Sequence, residues 1–115
     1  MKTPDWIKSL PAAVTVCDQN GIIVEMNEKS EAVFAKDGGR DLLGTNVLDC
    51  HPEPARSKLK ELLETQKVNC YTIEKNGIKK MIYQTPWYDN GEFGGLVEFS
   101  FEIPFELPHF IRQST

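Results

Sequence analysis

Cys50 and His51 stand side by side in the stretch Asp49-Cys-His-Pro-Glu53. A thiol beside an imidazole is the raw material of a nucleophilic pair, and both groups are known axial ligands of haem iron. Adjacent side chains on a turn diverge, however, and no third orienting group is evident. The remaining soft or imidazole ligands, Cys17, Cys70 and His109, are scattered, with no pair at the two-to-four-residue spacing of zinc sites, so no metal site is expected. Glu98 and Glu102 fall on one face of the last strand and read as the solvated side of an edge or a dimer surface rather than an acid–base pair. There is no G-x-S-x-G and no Gly-rich phosphate loop, so an enzyme is not expected.

The elements that must position these groups are legible from turns and periodicity. Thr3, Pro4 and Asp5 open a short helix that Pro11 ends. Ala13–Cys17 and Ile22–Met26 flank Asp18-Gln-Asn-Gly21 and form a hairpin. Asn27 caps a second helix, which Asp37-Gly-Gly39 stops. A short turn follows from Arg40 to Leu43, and Asn46 caps another at 47–50. Pro52 and Pro54 open a longer helix to about Gln66, with Ala55, Leu59, Leu62 and Leu63 at i, i+4, i+7 and i+8. Strands over 67–74, 78–88 and 92–103 are joined at Asn76-Gly77 and Asn90-Gly91, the strongest short hairpin signal. The last strand places Phe93, Gly95, Val97, Phe99, Phe101 and Ile103 on one face, which is expected to be the dry one. The class is α+β, a five-stranded antiparallel sheet with short helices packed on one face.

Bulk properties narrow the function further. The 115 residues suit one domain: a core of about 9–103, an N-terminal helical cap over 1–8 and a tail over 104–115. A net charge of -4 leaves no basic footprint for nucleic acid or an anionic membrane. No stretch approaches the roughly 18 apolar residues of a membrane span, and the N-terminus has no apolar signal-peptide core. Three cysteines without a CxxC suit the reducing cytoplasm.

Three stretches resemble the PAS family. Leu10-Pro-Ala-Ala-Val-Thr-Val-Cys-Asp-Gln-Asn-Gly-Ile-Ile-Val-Glu-Met-Asn27 is similar to the family's opening hairpin. Leu43-Gly-Thr-Asn-Val-Leu-Asp-Cys-His-Pro-Glu53 is similar to its "L-G-K-N … H-P-E" stretch. Pro86-Trp-Tyr-Asp-Asn-Gly-Glu-Phe-Gly-Gly-Leu-Val-Glu98 is similar to its "P-v-x-d-x-x-G-x-x-x-G-x-v" signature. The resemblance spans about residues 9–103. It implies a sheet cupping a small cavity against the helices, a sensory or signalling role, and homodimerisation as the usual partner mode.

The resemblance also implies a test for each cofactor. Flavin photosensors of the family carry a reactive cysteine in "G-x-N-C", where this chain has Gly44-Thr-Asn-Val47, and Val97 stands where they carry a glutamine. A flavin photoadduct is therefore not expected. Haem sensors of the family take a histidine from the long helix, where this chain has Leu59. Haem held through His51 or Cys50 remains an alternative, beside the reading of His51 as the shaper of the H-P-E turn. The leading expectation is a small ligand among Phe34, Leu43, Val47, Cys50, Leu59, Leu62, Ile82, Tyr83, Gln84, Val97 and Phe99. A filled core serving only protein–protein interaction is the other reading, with a homodimer or a signalling protein as partner. The face Met81, Tyr83, Thr85, Trp87 is expected to meet Trp6 and Ile7 or another subunit. The tail, with Pro104 and Pro108, is not expected to start a helix; Phe105, Leu107, Phe110 and Ile111 suggest packing on the domain or a dimer mate. A free-standing module and a piece of a larger protein remain equally open.

Overall fold

A computed structural model describes residues 3–114. Five strands, β1 (Ala13–Asp18), β2 (Ile23–Met26), β3 (Asn69–Lys75), β4 (Ile78–Asp89) and β5 (Glu92–Ile103), form one antiparallel sheet in the order β2-β1-β5-β4-β3. The tight turns follow from residue type. Asn76 and Gly77, and Asn90 and Gly91, all take positive φ, as a two-residue turn of this twist requires. In the first hairpin, the Asp18 carboxylate accepts from the Asn20 and Ile22 amides at 2.9 and 3.0 Å.

Between β2 and β3 the chain crosses one face of the sheet. It forms α2 (Glu28–Val33), two 3-10 turns (Ala35–Asp37 and Gly39–Leu42) and α3 (Ala55–Thr65). Asn27 caps α2 by accepting from the Ser30 amide at 3.0 Å. The same oxygen accepts from Val14 N, and its amide donates to the Ile7 and Ala12 carbonyls at 2.9 and 2.8 Å. One buried side chain thus ties the first strand, the second helix and the N-terminal segment together. Pro54 is the N-cap of α3, and the Glu53 carboxylate just before it accepts from the Ser57 amide at 2.7 Å. Asn46 starts the short turn over 47–50, its side chain accepting from Leu48 N at 2.9 Å.

The helix-side core is Cys17, Ile23, Met26, Leu42, Val47, Leu59, Leu62 and Leu96. This corrects the expected facing of β5. Leu96 and Glu98 face the helices, because register sets them opposite Cys17 and Thr15 on β1. Val97 and Phe99 face the other way and share a groove with Trp6, Ile7 and Leu10. That opposite face has its own cover in α1 (Asp5–Lys8), so an apolar row there is no mark of the helix side.

The start of α1 also differs from expectation. Thr3 does not cap it; its hydroxyl binds the Glu25 carboxylate instead, and the Pro4 carbonyl accepts from Ile7 and Lys8. Trp6 and Ile7 lie over β1 and β5 rather than over β4. Trp87 lies across β5, donating from its indole N–H to the Cys17 carbonyl at 3.0 Å. Gly94 and Gly95 make that crossing feasible. A Cβ on Gly94 would meet the Trp87 ring at 2.5 Å, and one on Gly95 the Cys17 carbonyl oxygen at 2.0 Å. Residues 104–114 have no regular structure, and Phe105, Leu107, Phe110 and Ile111 stand exposed rather than packed on the domain, which leaves the expected docking on a dimer mate open. No described helix is long and apolar enough to cross a membrane.

Candidate functional site

A cavity of about 170 Å³ lies between the sheet and the helical segment. Its apolar walls come from Ile23 and Met26 on β2, Phe34 after α2, Leu42, and Val47 in the turn before α3. Thr15, Glu98, Cys50, His51 and, at the exposed mouth, Asp37 add the polar groups. A second hollow of about 390 Å³ adjoins it, lined by Pro54, Ala55, Lys58 and Leu59 above the sheet and by Asn69, Tyr71 and Gln84 on it. His51 lines both.

The floor of these spaces is a polar row running across the sheet. Thr15 pairs with Glu98, Glu98 with Gln84, and Gln84 with Asn69. The row is wired in one direction. The Asn69 amide donates to the Gln84 carbonyl oxygen at 2.8 Å, and the Gln84 amide donates to Glu98 at 2.8 Å. Both hydrogen bonds point at Glu98, whose carboxylate only accepts. At the other end, the Thr15 and Ser30 hydroxyls share a 2.5 Å bond. Gln84 is buried and Ser30 fully so. Burying such groups is costly unless each has a partner, and these do.

His51 is fixed by its own turn. Its Nδ1 lies 2.7 Å from the Val47 carbonyl. A carbonyl only accepts, so Nδ1 carries the proton of this bond, and in the neutral imidazole that leaves Nε2 as an acceptor. The Cys50 thiol donates weakly to the Asn46 and Val47 carbonyls at 3.6 and 3.7 Å. Desolvation pushes this thiol above its ordinary range, and the Asp37 and Asp49 charges add to that. A raised thiol is a poor nucleophile and a poor thiolate ligand. Burial likewise raises Cys17, and burial followed by the Glu98 charge raises the Tyr71 phenol.

Phe34, Val47, Cys50 and His51 thus line the cavity, and Gln84 supports its floor. Leu59 borders the second hollow, Leu62 and Ile82 are buried, and Leu43 packs against the core from the outside. Tyr83, Val97 and Phe99 stand on the opposite face and are corrected accordingly, since Tyr83 pairs with Phe99 and both follow the outward parity. Sequence reasoning missed Thr15, Ile23, Met26, Asp37, Leu42 and Glu98 as lining residues. The signal for Glu98 lay in hairpin register: counted back from Asn90-Gly91 across one bulge, it falls opposite Gln84.

Haem does not fit these residues. An apolar cavity of about 150 Å³ takes one benzene ring, and a porphyrin is far larger than the 170 Å³ here. Leu59 in α3, which borders the adjoining hollow, offers no ligand atom, and burial pushes the Cys50 thiol up. Among the described residues no group of three or more His, Cys, Asp or Glu is arranged to hold a metal ion.

The architecture is an antiparallel sheet cupping a small cavity under short helices. No family model matches the chain, and no curated protein matches it by sequence. Solved structures do match. The C-terminal domain of a Streptococcus mutans protein is 21% identical, with 84% of this chain and 78% of that one covered at a TM-score of 0.69. The PAS domain of a Colwellia psychrerythraea protein is 21% identical, with 85% and 91% covered at 0.63. VqmA bound to DPO is 19% identical, with 85% of this chain but 55% of that one covered at 0.64. The fold of this chain is the PAS fold.

Proposed function

We propose that this chain is a PAS-type sensory module that reports on a small ligand held in the 170 Å³ helix-side cavity. The observation that carries the reading is the pairing of that apolar cavity with a polar row aimed into it. A domain of this size needs its apolar residues for stability. A carboxylate, an amide and two hydroxyls on the inner face take the place of apolar packing there, and their mutual hydrogen bonds hold them in a fixed arrangement at the cavity. That VqmA is found bound to DPO fits a small-molecule role for the fold. The absence of an activated nucleophile at Cys50 weighs against turnover.

The test is a thermal-shift screen of single-ring fragments against wild type and Val47→Phe, which fills the cavity. A ligand at 100 times its Kd stabilises by about 2.7 kcal/mol. Fragments should raise the melting temperature of wild type and not of Val47→Phe. No stabilisation of wild type, or equal stabilisation of both, overturns the reading.

A second reading, pairing with another copy or a signalling protein, has its own observation. Trp6 is 68% exposed beside the outer-face groove, and Tyr83 and Phe101 are also exposed on that face. Large amphipathic aromatics are enriched at interfaces. Sedimentation of wild type and Trp6→Glu tests it: a dimer that Trp6→Glu makes monomeric supports it, and a wild-type monomer contradicts the homodimer.

A further inference from the structure

We infer that the ligand of the helix-side cavity is a single-ring hydrogen-bond donor, an N–H-bearing or aminated ring, and that anions are rejected. The inference rests on the ligand-binding reading of that cavity and adds its chemistry. It follows from the direction of the hydrogen bonds. Asn69 donates to Gln84 and Gln84 to Glu98, each at 2.8 Å. Donors therefore run along the sheet and end on a carboxylate, which has no proton to give. Gln84 reaches one Glu98 oxygen; the lone pairs that remain call for a donor.

The other groups at the cavity agree. His51 spends its Nδ1 proton on the Val47 carbonyl, leaving an acceptor. The Thr15 hydroxyl is engaged with Ser30. Asp37 adds a second carboxylate at the mouth, and among the described residues no lysine or arginine lines the cavity. A carboxylate or phosphate ligand would meet like charge and find no cation, whereas an N–H pair meets a two-oxygen acceptor. Size sets the other limit: 170 Å³ is close to the cavity that holds one benzene ring. Lys58 lines only the adjoining hollow beyond His51, so an anionic group, if any, belongs there.

Three probes of similar size separate the terms: toluene for the apolar walls, 2-aminopyridine for a paired N–H donor, and benzoate for an anion. Each is titrated into wild type and Glu98→Gln, with methyl NMR shifts giving Kd. Glu98→Gln keeps an oxygen for Gln84 to reach, so it should fold. In wild type, 2-aminopyridine should bind at least tenfold tighter than toluene, and benzoate at least tenfold weaker. Glu98→Gln should bring 2-aminopyridine to the level of toluene and leave toluene unchanged. Benzoate binding as tightly as 2-aminopyridine, or a preference that survives Glu98→Gln, overturns the donor inference while toluene binding keeps the cavity reading intact. If none of the three binds wild type, the cavity reading itself falls, and this inference with it.

Discussion

The two faces of the sheet differ in a way opposite to simple hydrophobicity. The outer face carries the fuller apolar row, with Val14, Val16, Val97 and Phe99 under Trp6, Ile7 and Leu10. The inner face carries Leu96 but also Thr15, Glu98, Gln84 and Asn69, and it is this face that the long helical segment covers. A covered face that retains a wired polar row is shaped for something besides packing. An apolar face left partly open, with its aromatics at the surface, is shaped for contact.

The largest effect falls on the sheet that carries both faces, where Trp87 lies across β5. Gly95→Ala would drive a Cβ to 2.0 Å from a backbone oxygen of β1 at a residue with φ of 146°. It should cost about 4 kcal/mol or more, or prevent folding, as read by urea denaturation. Leu62→Ala comes next. That side chain is 1% exposed in the inner core, and its truncation should cost about 2–5 kcal/mol in the same measurement.

Val97→Ala, on the half-buried outer row, should cost about 1 kcal/mol and leave fragment-induced thermal shifts unchanged. A loss of fragment response there would erase the distinction between the faces.

The smallest effects are titrations. Burial first, and the Glu98 charge second, hold the Tyr71 phenol above its ordinary range. The folded state thus favours the neutral phenol more than the unfolded chain does. Its contribution is complete below the ordinary value of 10.0 and is lost as pH rises through the higher folded value. Denaturation midpoints should fall at alkaline pH, and Tyr71→Phe should flatten that fall. Cys50, raised by desolvation, should react with iodoacetamide at pH 8 more slowly than a free thiol such as glutathione.

Much of the frame was legible in the sequence because its causes are local. Asn76-Gly77 and Asn90-Gly91 encode their turns in two residues, and Asn27 encodes a cap within its own helix turn. The facing of β5 was not legible, because both of its alternating sets contain apolar residues and only the pairing partners decide between them. Gln84 was placed among the site residues, yet its meaning depends on Glu98 and Asn69, which lie fourteen and fifteen residues away. Thr15 joins the row through a third strand pairing. No window of sequence contains such a row; it exists only once four strands are in register. The irregular tail was legible for a local reason: Pro104 and Pro108 interrupt any helix there.

A ligand-sensing role for this chain depends on which face of the sheet receives the ligand. Methyl-labelled protein titrated with toluene tests that directly. Shifts concentrated at Ile23, Leu42 and Val47, which line only the helix-side cavity, with Leu10, Val14, Val16 and Val97 unmoved, are the predicted result. Shifts at the second set, or at neither, would contradict the helix-side cavity as the site.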